Sequence, residues 1–139
     1  PKVGRFLRGY WLGVENLELP HQDKNDNLRA GAAYTDFEGA KHHRILQLSK
    51  EGLLVTDYAS RFKKSARIRW RLPYGNWDLN KNSAISSEFV VSIDSDVDLE
   101  EIRLTEGYES RYYMDLQTIV VLEALISKPG KIITTVRRL

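Results

Sequence analysis

The chain has three histidines and no cysteine, so few of its side chains suit metal or acid–base chemistry. His42 and His43 stand together just before Arg44, at the head of the extended run HRILQLS. Asp57 lies near the end of the next run, LLVTDYA. If the two runs pair about Gly52, an imidazole and a carboxylate approach each other across strands. His43 with Asp57 is part of a site for a divalent metal, zinc or calcium. Zinc takes roughly four ligands, and the remaining histidine, His21, sits in a distant polar stretch, so the set is incomplete. A hydrogen-bonded histidine pair at a strand start explains the same residues.

A second constellation is ARIRWRLP, residues 66–73. Ala66, Ile68, Trp70 and Leu72 share one parity, and Arg67, Arg69 and Arg71 the other. Successive side chains of a strand point to opposite faces, which gives one apolar face and one guanidinium face. The arginines suit an anionic polymer; they equally suit the wet side of a sheet, paired with a cross-strand carboxylate such as Glu88. Tyr108, Tyr112 and Tyr113 cluster around Arg111. Phenols beside a guanidinium can stack on a sugar acid and pair its carboxylate, with Tyr112 as the candidate contact, although inward–outward alternation in a strand also explains them.

Other chemistries are excluded. DSDVDLEE spaces Asp94, Asp96 and Asp98 like the opening of a calcium loop, but Leu99 stands where that loop needs glycine and Thr105 where it needs a closing glutamate. Neither a G-x-S-x-G elbow nor a glycine-rich phosphate loop occurs. A formal charge of +2 is too small an excess to mark a nucleic-acid footprint. No apolar run reaches the roughly 20 residues that cross a bilayer.

The elements that must position these residues read as strands throughout. LRAGAAY, the pair HRILQLS and LLVTDYA, the arginine strand, ISSEFVVSI, DVDLEEIRL, TIVVLEALI and KIITTVRRL are all predicted extended. VGRFLRGYWLG is predicted as a strand with a bulge at Gly9. LPHQDKNDN, residues 19–27, reads as an exposed loop. About eight to ten short strands with turn signals between them predict an all-β fold, an antiparallel two-layer β-sandwich. At 139 residues the chain fits one domain, 1–139. Its opening, PKVGRFLRGYWLG, reads as a chain entered part-way, so we expect a fragment of a longer protein.

The succession AKHHRILQLSKEGLLVTDYASRFKKSARIRWRLP, followed by GYESRYYMDLQTIVVLEALISKPGKIITTVRRL, resembles the C-terminal β-sheet domain of the heparinase II/III-like polysaccharide lyases. The likeness runs from about Gly31 onward. The resemblance implies a multi-domain enzyme whose N-terminal helical toroid is absent here and which cleaves uronic-acid polysaccharide by β-elimination. It also implies that the β-domain lends a histidine, His42 or His43, to a catalytic set carried mainly by the helical domain. Asp57 would match the family's metal-binding aspartate; no histidine follows His43 to complete such a site. The expected partners are therefore an acidic polysaccharide and the missing helical domain, with no nucleic acid and no membrane span. The expected location is periplasmic or extracellular in a bacterium. A base contributes only about 10² to 10⁴ in rate, so this part alone is expected to bind or position rather than catalyse. The competing expectation is a non-catalytic module that grips an anionic glycan through Arg67, Arg69 and Arg71.

Overall fold

The computed structural model describes residues 2–3, 7–8, 13–113 and 115–139. These carry thirteen strands and no helix. Strands β1 (Lys2–Val3) and β2 (Leu7–Arg8) pair with each other; the rest of the expected first strand and its Gly9 bulge lie outside the described residues. Eight strands form one antiparallel sheet. In spatial order they are β3 (Gly13–Gln22), β4 (Leu28–Thr35), β5 (Lys41–Ser49), β6 (Gly52–Ser60), β13 (Gly130–Arg138), β10 (Phe89–Ser95), β9 (Ser83–Ile85) and β8 (Asp78–Asn80). Strands β11 (Glu101–Tyr112), β12 (Asp115–Ile126) and β7 (Ala66–Arg71) form a second, three-stranded antiparallel sheet. The all-β sandwich is the observed fold. Its strand number exceeds the expectation because pieces of two or three residues carry too little pattern to be read.

The β5–β6 hairpin forms as read. Ser49 pairs with Gly52 around a two-residue loop, Lys50-Glu51. Gly52 has φ +139, and a Cβ there would lie 2.2 Å from the Val136 carbonyl oxygen, so both conformation and space demand glycine.

The sheets meet over one core. The small sheet contributes Ile68, Leu72, Leu122, Ala124 and Ile126, and the large sheet Ala59, Ala84, Val91, Ile93 and Ile132. Leu122, Ile126 and Ile132 are fully buried, each supplying roughly 1.5–3 kcal/mol of apolar burial. The parity of β7 holds: Ile68 and Leu72 are buried while Arg67, Arg69 and Arg71 face water. The small sheet is narrower than the large one. It covers the β6–β13–β10–β9 region and leaves the inner face beyond β5 open, so that Ala32 and Tyr34 on β4 are exposed.

Three boundaries differ from the expectation. The polar loop starts at Asp23, because β3 continues through Leu19–Gln22. As an edge strand, β3 tolerates Pro20, which has no N–H to give a ladder. ISSEFVVSI is a hairpin, β9 turning into β10, with the Ser86 N–H bonded to the Phe89 carbonyl. Residues 96–100 form the turn before β11; Val97 and Leu99 reach back to the core, which gives that segment its mixed pattern. Among the described residues no helix is long and apolar enough to cross a membrane.

Candidate functional site

Counting outward from the Lys50-Glu51 loop places Arg44 opposite Asp57 and His42 opposite Ala59. All four share the inner face, where Val55, Asp57 and Ala59 are buried. The Asp57 side chain has no exposure at all. Its Oδ1 lies 2.7 Å from His42 Nε2 and accepts from Arg44 Nε at 2.7 Å, while Oδ2 accepts from Arg44 Nη2 at 3.0 Å. Burial by itself would raise the Asp57 pKa; hydrogen bonds from His42 and Arg44, with the charges of both, outweigh it and hold the carboxyl below its ordinary value. Arg44 is fixed in turn by stacking over Trp70, its Cζ 4.8 Å from the ring centroid, and the Trp70 Nε1–H donates to Thr134 Oγ1 at 3.0 Å. Both sheets thus hold the cluster.

His42 keeps 26% of its side-chain exposure and lines a cavity of about 530 Å³. The cavity occupies the uncovered end of the inner face, walled by β4–β6 on one side and by residues 62–69 on the other. Tyr34 meets His42 edge-on, with ring centroids 5.3 Å apart. The cavity's lining residues include the carboxylates Asp36 and Glu38 and the cations Lys41, Arg44, Arg61, Lys63, Lys64, Arg67 and Arg69. Of these cations, Lys41 pairs with Glu15, Arg44 with Asp57, and Arg67 and Arg69 with Glu123, while Arg61 and Lys64 join no ion pair among the described residues. Glu38 already pairs with Lys63 at 3.4 Å. The two unpaired cations, Arg61 and Lys64, favour an anionic occupant.

The other expected pairings fall differently. His43 points to the opposite face of the large sheet, where it stacks on Tyr58 with centroids 5.8 Å apart, so it does not meet Asp57. The reason is strand parity: a one-residue step along β5 reverses the face. A metal shell at Asp57 does not fit. Both carboxylate oxygens are engaged by Arg44 and His42, a guanidinium stands where a cation would bind, and among the described residues no three His, Asp or Glu side chains converge.

The arginine face also has an answer. Its partner is not Glu88 but Glu123, the β12 residue directly opposite Arg69. Glu123 is only 4% exposed. Arg69 Nε reaches Oε1 at 2.8 Å, Arg103 binds Oε2 through Nε at 3.0 Å and Nη2 at 2.9 Å, and Arg67 Nη1 stands 3.5 Å from Oε2. Burial would raise the Glu123 pKa; the Arg103 hydrogen bond and the charges of Arg67, Arg103 and Arg69 overcome it and lower the pKa. Arg71 is exposed and joins no ion pair among the described residues. Tyr112 lies far along the β11–β12 hairpin, 74% exposed, and with Tyr108 and Tyr113 it is absent from the walls of the cavity. Arg111 pairs with Glu109 at 2.6 Å.

Sequence reasoning brought His42 and Asp57 to one hairpin and missed Arg44 and Tyr34. Arg44 was recoverable by counting from Gly52, since register follows from loop length. Tyr34 and the basic run Arg61, Lys63 and Lys64 carried no periodic signal; only the unequal widths of the sheets make them neighbours of His42.

No family model matches the chain, and no curated protein does. Two solved structures described as heparinase III, the second with methylated lysines, share its fold. Each aligns with a TM-score of 0.71, at 12% and 11% identity, covering 92% of this chain and 21% of theirs. The chain thus spans about a fifth of the length of the structures it matches.

Proposed function

We propose that this chain is the β-sheet domain of a heparinase II/III-like polysaccharide lyase, and that the cationic cavity beside His42 forms part of its substrate cleft. The observation that carries the reading is the combination at one place of a partly exposed histidine, anchored on a buried carboxylate, with the unpaired cations Arg61 and Lys64. The heparinase III fold supports it. In β-elimination a base takes the C5 proton of the uronate, the C–H electrons form the C4–C5 double bond, and the C4–O bond breaks as the leaving oxygen gains a proton. The developing charge on the uronate carboxylate needs cations nearby. On this reading His42 is the proton-transferring group that the β-domain lends, and Arg61, Lys63 and Lys64 attract and hold the polymer. The rest of the catalytic set belongs to a helical domain of the longer protein, so this chain alone binds without turnover. A periplasmic or extracellular location follows from such a substrate.

The test is the full-length protein offered a panel of acidic polysaccharides, with absorbance of the unsaturated uronate as readout. Turnover on at least one polymer, abolished in His42→Ala, is expected. A flat trace across the panel removes the lyase reading. Binding that persists without turnover leaves the alternative, a non-catalytic module for anionic carbohydrate, for which the same cavity provides the charge.

A further inference from the structure

Asp57, His42 and Arg44 form a chain in which each bond determines the next. We propose that Asp57, clamped by Arg44, is a positioning residue that fixes His42 with its proton on Nε2, leaves Nδ1 as the accepting nitrogen toward the cavity, and does so without any metal. The proposal rests on the reading of His42 as the proton-transferring group. It differs from what the family resemblance implies for Asp57, which is a metal ligand.

The argument runs from donor and acceptor inventory. Arg44 donates to both carboxylate oxygens, at 2.7 and 3.0 Å, and an arginine does not lose its proton in a protein. A carboxylate so clamped stays ionised, and an ionised carboxylate only accepts. The nitrogen 2.7 Å from its Oδ1, His42 Nε2, must therefore carry the hydrogen. In a neutral imidazole the other nitrogen then carries the lone pair. No protein atom among the described residues bonds Nδ1, and no buried side-chain nitrogen or oxygen lacks a partner, so Nδ1 reaches solvent, and His42 lines the cavity.

Arg44 also supplies what a divalent cation at Asp57 would supply: a fixed positive charge, two directed contacts to the carboxylate, and an anchor, here the Trp70 ring at 4.8 Å. Trp70 itself is held by Thr134 across the core. The histidine is thus oriented by a chain of ordinary side chains that runs through both sheets.

The decisive measurement is the tautomer of His42, read from two-dimensional nitrogen–proton NMR of histidine-labelled protein at a pH where the ring is neutral. Nε2–H with bare Nδ1 is expected; the opposite tautomer, or rapid averaging of the two, overturns the proposal. Asp57→Asn should weaken the preference for Nε2–H. Oδ1 serves both His42 Nε2 and Arg44 Nε while Oδ2 serves Arg44 Nη2, so an amide NH₂ at either position opposes an arginine N–H and loosens the clamp. Melting of the wild-type protein should be unchanged by chelator and by added zinc; a fall with the one or a rise with the other overturns the metal-free part. In active full-length protein, Asp57→Asn should lower kcat by about 10² to 10⁴ with KM nearly unchanged, and an unchanged kcat counts against the positioning role. The two readings fail separately: a correct tautomer in a protein inert on every polymer removes the lyase, whereas turnover with the wrong tautomer removes only the positioning role.

Discussion

Two buried carboxylates meet arginine in this protein, and they differ in what their partners leave free. Glu123 sits on the outer face of the three-stranded sheet among Arg67, Arg69 and Arg103, whose side chains keep 42–55% of their exposure. Each guanidinium can turn toward water if the carboxylate is lost. Asp57 faces inward and fully dry, between one arginine and a histidine that presents its second nitrogen to open space. The pairing chemistry is alike. Surroundings decide that one cluster ties three strands together while the other, on the proposed reading, presents a proton acceptor to a bound anion.

The difference should be largest in stability. Asp57→Ala removes the only counter-charge of Arg44 among the described residues and leaves that guanidinium, stacked on Trp70 and 34% exposed, unpaired beside an emptied buried site. A loss of about 3–5 kcal/mol is expected, the usual consequence of breaking a buried pair, and urea unfolding will read it. A loss below that of any Glu123 substitution breaks the comparison. The pH dependence follows. An unfolded aspartate titrates near pH ~3.9, and folding lowers the Asp57 pKa, so its stabilisation is complete above that range and is lost as pH falls through the lower native value. Glu123 has the same sign. Asp57→Asn should therefore flatten the acid limb of stability against pH without levelling it, as followed by urea midpoints from neutral pH downward.

Much of this contrast was legible in the sequence, and the remainder was not for identifiable reasons. Alternation in ARIRWRLP placed Trp70 inward and the arginines outward, because a half-buried strand has a period of two. Gly52 located the hairpin, and the hairpin joined His42 to Asp57. The choice between His42 and His43 needed the register to within one residue. Glu123 was hidden inside TIVVLEALI, which reads as a wholly buried strand; its carboxylate is buried, but on the face opposite the core, and only the order β11–β12–β7 brings three arginines to it. The cavity was invisible altogether, since it exists where one sheet is wider than the other.

Of intermediate size is the effect on binding. Two sets of three cations compete as polymer contacts. The set Arg61, Lys63 and Lys64 has one paired member, Lys63, whereas in Arg67, Arg69 and Arg71 two are paired, both with Glu123. Changing the first set to serine should weaken retention on a heparin or alginate column about tenfold at low salt, with a shallower salt dependence. The second set should matter less. Equal or greater loss from Arg67, Arg69 and Arg71 would return the sheet face to the role of glycan contact and demote the cavity.

The smallest effect is the most diagnostic of what Glu123 does. Glu123→Gln keeps the packing on β12 and removes the charge that Arg67, Arg69 and Arg103 share, leaving Glu101 paired with Arg103 at 2.9 Å and 3.9 Å from Arg67. Because those side chains are partly solvated, the stability cost should be only about 1 kcal/mol and should shrink as salt is added. Binding should move the other way. Arg67 and Arg69 belong to the strand that borders the cavity while their guanidiniums flank Glu123 on the sheet's outer face, so cancelling the carboxylate raises the positive potential around that edge, and retention on the anionic column should increase. A glutamate that only braced the sheet would give the stability loss without the gain in retention. Loss of retention would mean that Glu123 holds the arginines in the posture the polymer needs, and the outer cluster would then belong to the site.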